Sequence, residues 1–408
     1  MTSIDFTKRD RGIDHLRAIT MVVMIFVNDF WKIHDVPHWL EHAKFGEDFM
    51  GLSDVVFPVF LFVVGMSIPY AIERRFSKGL PGESTVGHIF TRSFALLIMG
   101  AFIVNSESRL SPEVAYPIGV YWILMVIAFL LIWNQYPKAG NRNRQRIFSL
   151  LKWIGIAVLF YLAISFRDPK GGVFTAGWWG ILGLIGWSYL FSALIYVFTR
   201  DRLRYLVPVW IALVVICMLG TRLKEAHGGE AFLALPRPNF YNDLLNIFNV
   251  GNGALVAFTM GGIIFSLVVA RVNRFTLKRK AAYLISAVAV LFIAGYISRN
   301  YWIVSKLSAS PPWIFYVTAI AIVIYSLLSW LAQTGRDGWL KLISPAGTAT
   351  LTCYLLPYVS YALADLTGIS LPDWFTYQPW GLVNSFLFAL LMVGITWILG
   401  RVHIKLKI

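Results

Sequence analysis

Twelve apolar stretches, separated by short polar connections, order this chain: 13–30, 51–72, 86–105, 115–134, 147–166, 177–199, 205–220, 248–270, 281–297, 312–333, 348–364 and 380–400. A helix crossing a hydrocarbon core of about 30 Å needs about 20 residues, because each residue adds about 1.5 Å. The pattern therefore predicts an all-α polytopic membrane protein of about 12 (10–12) transmembrane helices. The spans 205–220 and 281–297 are short, and 348–364 carries Pro357.

Composition agrees with this reading. Hydrophobic side chains make up 58% of the 408 residues and charged ones 14%, against about 45–50% and 25% in soluble domains. A purely soluble protein is excluded. The net charge of +15 raises the question of a nucleic-acid partner, but in a membrane chain the position of each Lys and Arg carries the information. Alternate connections and the two ends hold 23 basic residues, among them Lys8, Arg9, Arg11, Arg74, Arg75, Lys78, Lys138, Arg142, Arg274 and Arg401. The other connections hold 10, among them Lys32, Lys44, Arg109, Arg237 and Lys306. Basic residues concentrate on the cytoplasmic side, so both termini are expected in the cytoplasm.

The polar first dozen residues lack a cleavage pattern, which predicts an uncleaved first anchor. Residues 1–408 read as a single transmembrane domain, with no repeat relating its halves. Cys217 and Cys353 both lie in apolar runs, which leaves no disulfide framework or cysteine zinc site. The outer connection 221–247, with Pro236 and Pro238, reads as an ordered loop.

Polar groups at span ends mark functional candidates, because they are costly in hydrocarbon. One segment concentrates them: Asp14-His15-Leu16-Arg17, then Asn28-Asp29, then a loop with His34, His38 and His42, then Ser53-Asp54. Three readings of the loop compete. It is an interfacial loop anchored by Trp31 and Trp39; or a metal site using the four-residue spacing of its histidines, a face that Pro37 interrupts; or it carries a catalytic histidine with Asn28 and Asp54 as neighbours. An imidazole suits general-base work near neutral pH, a carboxylate fixes its tautomer, and an amide steadies an oxyanion. At the cytoplasmic ends, Asp14 and Arg17 are spaced for an intrahelical ion pair. Alternatively Arg17, Arg74, Arg75 and Lys78 form an anion site. Asn105 and Glu107 end the third span on the outer side, and Asn239, Asn242, Asp243, Asn246, Asn249 and Asn252 crowd before the eighth; such amides suit sugar hydroxyls, and a hydrated loop would look the same.

The ordered strings Ile13-Asp14-His15-Leu16-Arg17-Ala18, Met24-Ile25-Phe26-Val27-Asn28, Leu40-Glu41-His42-Ala43 and Ser53-Asp54-Val55-Val56-Phe57-Pro58, continuing through Phe60–Ile68, resemble the heparan-α-glucosaminide N-acetyltransferase family and its bacterial relatives. The signature covers 13–68, with a fainter echo at Ser344-Pro345-Ala346-Gly347-Thr348. The resemblance implies acetyl transfer from cytoplasmic acetyl-CoA to the amine of a glucosamine-type sugar across the membrane. It implies His42, Asn28 and Asp54 as catalytic residues. Arg17, Arg74 and Arg75 are the expected coenzyme A contacts, with no metal. The expected surroundings are the bacterial cytoplasmic membrane with its lipid bilayer, an amino-sugar or glycan acceptor, a second copy of the chain as a dimer partner, and no nucleic acid. Ala18 and Thr348 replace the family's usual Gly and Asn, and Gly119-Val120-Tyr121-Trp122 lacks its usual Gln-Arg pair. These departures bear on the acceptor more than on acyl transfer. A secondary transporter and an O-acetyltransferase of a cell-envelope glycan are the rival readings.

Overall fold

The computed structural model describes residues 6, 10–107, 110–137, 140–233, 239–273 and 275–408, leaving aside the side chain of Asn242. Lys8, Arg9, Arg109, Lys138, Arg237 and Arg274 of the charge pattern, and Pro236 and Pro238 of the outer loop, lie outside the described residues. Each of the twelve predicted spans holds a helix. In chain order the helices are α1 (Arg11–Asn28), α2 (Leu52–Ser77), α3 (Gly82–Glu107), α4 (Ile118–Trp133), α5 (Arg142–Ser165), α6 (Gly180–Thr199), α7 (Leu203–Gly220), α8 (Phe240–Phe248), α9 (Ala254–Val272), α10 (Leu277–Ser298), α11 (Pro311–Gln333), α12 (Ser344–Thr348), α13 (Thr350–Thr367) and α14 (Trp380–Arg401).

Among the described residues, nine helices are long and apolar enough to cross a membrane; α1, α4 and α13 are not among those nine. Helix α4 has only 16 residues, and α1 carries Arg11, Asp14 and Arg17 in its first two turns. Boundaries moved where local chemistry overrode hydropathy. Helix α5 starts at the polar Arg142, because the Asn141 side chain caps it by accepting from the Arg144 N–H at 2.9 Å. The predicted span 248–270 starts late, at Ala254, because Asn249, Gly251, Asn252 and Gly253 all take positive φ, which ends α8 and delays α9.

The outward faces explain the composition. Only 11% of the most apolar window of α10 is buried, leaving Ile285, Val290, Phe292 and Ile293 exposed. Apolar surface on that scale suits lipid contact and is unsuited to water.

The chain forms two compact units. Unit 1 comprises residues 1–20, 37–94 and 184–341; unit 2 comprises 21–36, 95–183 and 342–408. In unit 1, α2 lies against α9, with α7 and α11 packed on the pair. The α2–α9 approach depends on glycine: a Cβ at Gly65 would overlap the Thr259 carbonyl, and one at Gly262 the Phe62 carbonyl. Without a hydrophobic drive between helices in lipid, such close packing is the main source of association. In unit 2, α4 packs between α5 and α13, and α14 covers α12 and α13. The first turn of α4 is tied down by Asp365 of α13, whose Oδ2 accepts from the Gly119 N–H at 3.0 Å.

Candidate functional site

In unit 1 the histidine loop folds back over the start of α2. The opening N–H groups of a helix have no partner within it, and here loop carbonyls take them: Leu52 N–H donates to Trp39 O at 2.8 Å and Ser53 N–H to Leu40 O at 3.2 Å. Buried Leu40 and Ala43 anchor the loop. Gly51 has to be glycine, since a Cβ there would overlap the Glu41 carbonyl.

This fold-back brings His42 to Asp54. The Asp54 side chain is fully buried. Its Oδ2 accepts from the Ala43 N–H at 2.9 Å and the Gly51 N–H at 3.2 Å. Its Oδ1 lies 2.7 Å from His42 Nδ1. A carboxylate so engaged has no proton to give, so the proton of a neutral His42 sits on Nδ1. Nε2 then keeps its lone pair, and among the described residues nothing bonds to it. The half-exposed imidazole (51%) thus presents a tautomer-fixed basic nitrogen outward, the arrangement a general base or nucleophile requires.

Three further residues complete the surroundings, and sequence alone tied none of them to the site. Lys306, 264 positions away, places Nζ 3.3 Å from His42 Nδ1. With Nδ1 already donating to Asp54, the amine acts there as a neighbouring charge. Burial pushes the Lys306 ammonium down to about 8, against the upward pull of the Asp54 carboxylate. Asp48 fixes the loop that carries Lys306: its carboxylate accepts from Lys224 Nζ at 3.0 Å, Arg299 Nε at 3.3 Å and the Val304 N–H at 2.7 Å. Burial pushes Asp48 up, but those three donors outweigh it and hold the carboxyl below its usual range. Trp313 of α11 donates its indole N–H to the Asp54 carbonyl at 3.0 Å.

The loop histidines do not share a helical face. Residues 30–32 form one 3₁₀ turn and 33–50 have turn and irregular structure, with Asp35 at φ 57°. His38 Nε2 bonds Glu47 at 2.8 Å and its ring stacks on Phe49. His34, in unit 2, stacks on Tyr377. Each imidazole has a different partner.

Asn28 ends α1 in unit 2 and lines a cavity of about 570 Å³, with Trp31, Glu107, Trp122, Tyr354, Tyr358 and Tyr361 among the other wall residues. Its neighbour Asp29 is structural: the buried carboxylate accepts from Tyr361 and Ser385 hydroxyls, each at 2.8 Å, and pairs with Lys32 at 3.3 Å.

The expected coenzyme A contacts all lie in unit 1. Arg17 bonds Asp14 at 3.4 Å and the Ser67 hydroxyl at 2.5 Å. Arg75 donates to the Ser84 carbonyl at 3.0 Å, and Arg74 is exposed. Ser67 lies two turns before Arg74 on α2, about 10 Å along the axis, so Arg17 and the arginine pair stand at different depths. His15, beside Arg17 in sequence, bonds Asp337 at 2.9 Å.

A family profile described as "Domain of unknown function (DUF5009)" matches residues 9–230. The chain belongs to that family. The match takes in the histidine loop and Asp54 but ends before Lys306. The chain is also similar to heparan-alpha-glucosaminide N-acetyltransferase of Homo sapiens, 29% identical over 185 residues, which is 40% of this chain and 26% of that protein. The protein of the same name from Mus musculus is 27% identical over 185 residues, covering 40% of this chain and 27% of its own length. The similarity thus covers about a quarter of those relatives.

Proposed function

We propose that this DUF5009 chain is a transmembrane acetyltransferase, moving an acetyl group from cytoplasmic acetyl-CoA to the amine of a glucosamine-type sugar on the outer side. The observation that carries the reading is the His42–Asp54 pair, with its proton fixed on Nδ1 and Nε2 left open. The similarity to the two N-acetyltransferases and the helical, lipid-suited surface support it. The basic bias of the connections puts the histidine loop outside and Arg17, Arg74 and Arg75 inside, where they serve as contacts for the coenzyme A phosphates. Coenzyme A cannot cross a bilayer, but its extended pantetheine arm reaches through a large part of a core about 30 Å thick.

In direct transfer, the amine nitrogen attacks the thioester carbonyl, the carbon–sulfur bond breaks, and His42 Nε2 takes the proton the amine loses as coenzyme A thiolate departs. In stepwise transfer, Nε2 itself bonds the acetyl carbon as the carbon–sulfur bond breaks and the coenzyme A thiolate departs; the amine then attacks that carbon, the Nε2–acetyl bond breaks, and the freed Nε2 takes the proton the amine loses. Asp54 holds Nδ1–H and stabilises the charged ring in both, and Asn28 is proposed as the amide donor to the developing oxyanion. The test is detergent-purified protein with radiolabelled acetyl-CoA, amino sugars and neutral sugars. Label on the amine with stoichiometric thiol release is expected, and acetyl-protein accumulating without acceptor marks the stepwise route. Label on hydroxyls alone makes it an O-acetyltransferase. No thiol release at all overturns acyl transfer and turns attention to transport.

A further inference from the structure

We propose that Lys306 is a self-acetylation site: when no sugar is present the acetyl group passes to its Nζ and leaves an acetyl-lysine beside His42. The donor is the one the acetyltransferase reading supplies, and the step rests on that reading. The backbone around Lys306 is fixed on both sides. The Val304 N–H donates to Asp48 at 2.7 Å, the Ser305 N–H to the Ser310 hydroxyl at 3.0 Å, and the Ala309 N–H to the Lys306 carbonyl at 3.0 Å. From this base the side chain brings Nζ to 3.3 Å from His42 Nδ1. Of Lys224, Arg299 and Lys306, the first two share the Asp48 carboxylate. Among the described residues no carboxylate pairs with Lys306 and no carbonyl accepts from it; its one close polar neighbour is the His42 ring.

That position makes Lys306 a competitor of the substrate. Its Nζ is a primary amine, the same nucleophile as the proposed acceptor, and it stands beside the imidazole that handles the acetyl group. The flexible four-carbon stem lets the amine swing around the ring while the backbone stays fixed. Nζ bonds the acetyl carbon, and the bond from that carbon to His42 Nε2, or to the coenzyme A sulfur, breaks. Nε2 takes the proton that Nζ loses, and the product is a neutral amide. Burial already pushes the Lys306 ammonium down to about 8, against the pull of Asp54. Roughly a quarter of it is therefore free amine at pH 7.5, against about 0.1% for a lysine at the ordinary value of about 10.4. A weaker base is a weaker nucleophile, which returns part of that advantage, and a net gain of about tenfold is left.

The experiment uses the full chain in detergent at pH 7.5, without a sugar, and locates acetyl groups by peptide mass spectrometry before and after hydroxylamine. Hydroxylamine strips acetyl-imidazole and leaves acetyl-lysine, so it separates an acetyl group on His42 from one on Lys306. With acetyl-CoA, a hydroxylamine-stable acetyl group is expected on Lys306 at least tenfold faster than on the exposed Lys78, and His42→Ala should slow it at least tenfold. N-acetylimidazole, a donor that needs no catalysis, should label Lys306 ahead of Lys78 in wild type and His42→Ala alike, which shows that the variant keeps the amine in place. Lys306→Arg, which keeps the charge, should melt at the wild-type temperature and lose the stable label. Labelling of Lys306 no faster than of Lys78, or undiminished by His42→Ala with acetyl-CoA, overturns the proposal. A sugar acetylated in a parallel reaction by a chain whose Lys306 stays bare overturns it too and leaves the acetyltransferase reading standing. Lys306 acetylated from acetyl-CoA while no sugar ever is does the reverse.

Discussion

Asp54→Asn is the most exacting test of the histidine site, because the hydrogen bonds around residue 54 dictate which way the new amide must turn. Oδ2 of Asp54 faces two backbone donors, the Ala43 and Gly51 N–H groups. If the Asn NH₂ replaced it there, donor would meet donor twice, at about 1–3 kcal/mol for each buried group left unsatisfied. The amide oxygen therefore stays on the backbone and the NH₂ turns to His42 Nδ1. A nitrogen approached by a donor has to accept, so the imidazole proton moves to Nε2, and the two tautomers of imidazole lie close enough in energy for the ring to yield. The variant keeps its fold and presents a protonated nitrogen where a lone pair is needed. The same exchange in a Ser-His-Asp triad lowers kcat about 10⁴-fold through the wrong tautomer. With His42 half-exposed, a fall of about 10³–10⁴ is expected, or about 4–5.5 kcal/mol in the barrier. The assay is thiol release from acetyl-CoA with an amino-sugar acceptor, paired with a melting curve. A well-folded Asp54→Asn protein retaining a tenth or more of the wild-type rate would refute the tautomer argument.

His42→Ala should abolish turnover while His34→Ala and His38→Ala stay within a few fold, and Asn28→Ala should lose about 10²–10³; equal losses in all three histidine variants, reproduced by a chelator, would favour a metal site. Lys306 should react with an amine reagent with a midpoint near pH 8, well below the ordinary lysine value of about 10.4, and Asp54→Asn should lower the midpoint further by removing the charge that pulls it up; peptide mass spectrometry over a pH series reads this, and a midpoint above 10 contradicts the burial. Arg17→Ala and the Arg74→Ala/Arg75→Ala pair should each weaken coenzyme A binding about tenfold, and unchanged affinity in folded variants removes them from the phosphate site. The Asp48 carboxyl lies below its usual range in the folded state, so its stabilisation is present above about pH 4 and is lost as the pH falls through the folded value. Melting curves of Asp48→Asn should accordingly show a loss of about 1–2 kcal/mol at neutral pH, reduced because Arg299 is 48% exposed, that shrinks in acid; a loss independent of pH would assign the effect to something other than the carboxylate.

The spans were legible because hydropathy over twenty residues is a sum, insensitive to any one position. Their ends were not, because single residues set them: the Asn141 cap extends α5, and the positive-φ run from Asn249 to Gly253 delays α9. The His42–Asp54 pair was also within reach, since the two are only 12 positions apart and a loop that must return to the next span brings them near each other. Lys306 and Trp313 join the same site from more than 250 positions away. No periodicity reports which connections meet, because loop contacts depend on the order of helices in the bundle and on single anchors such as Asp48.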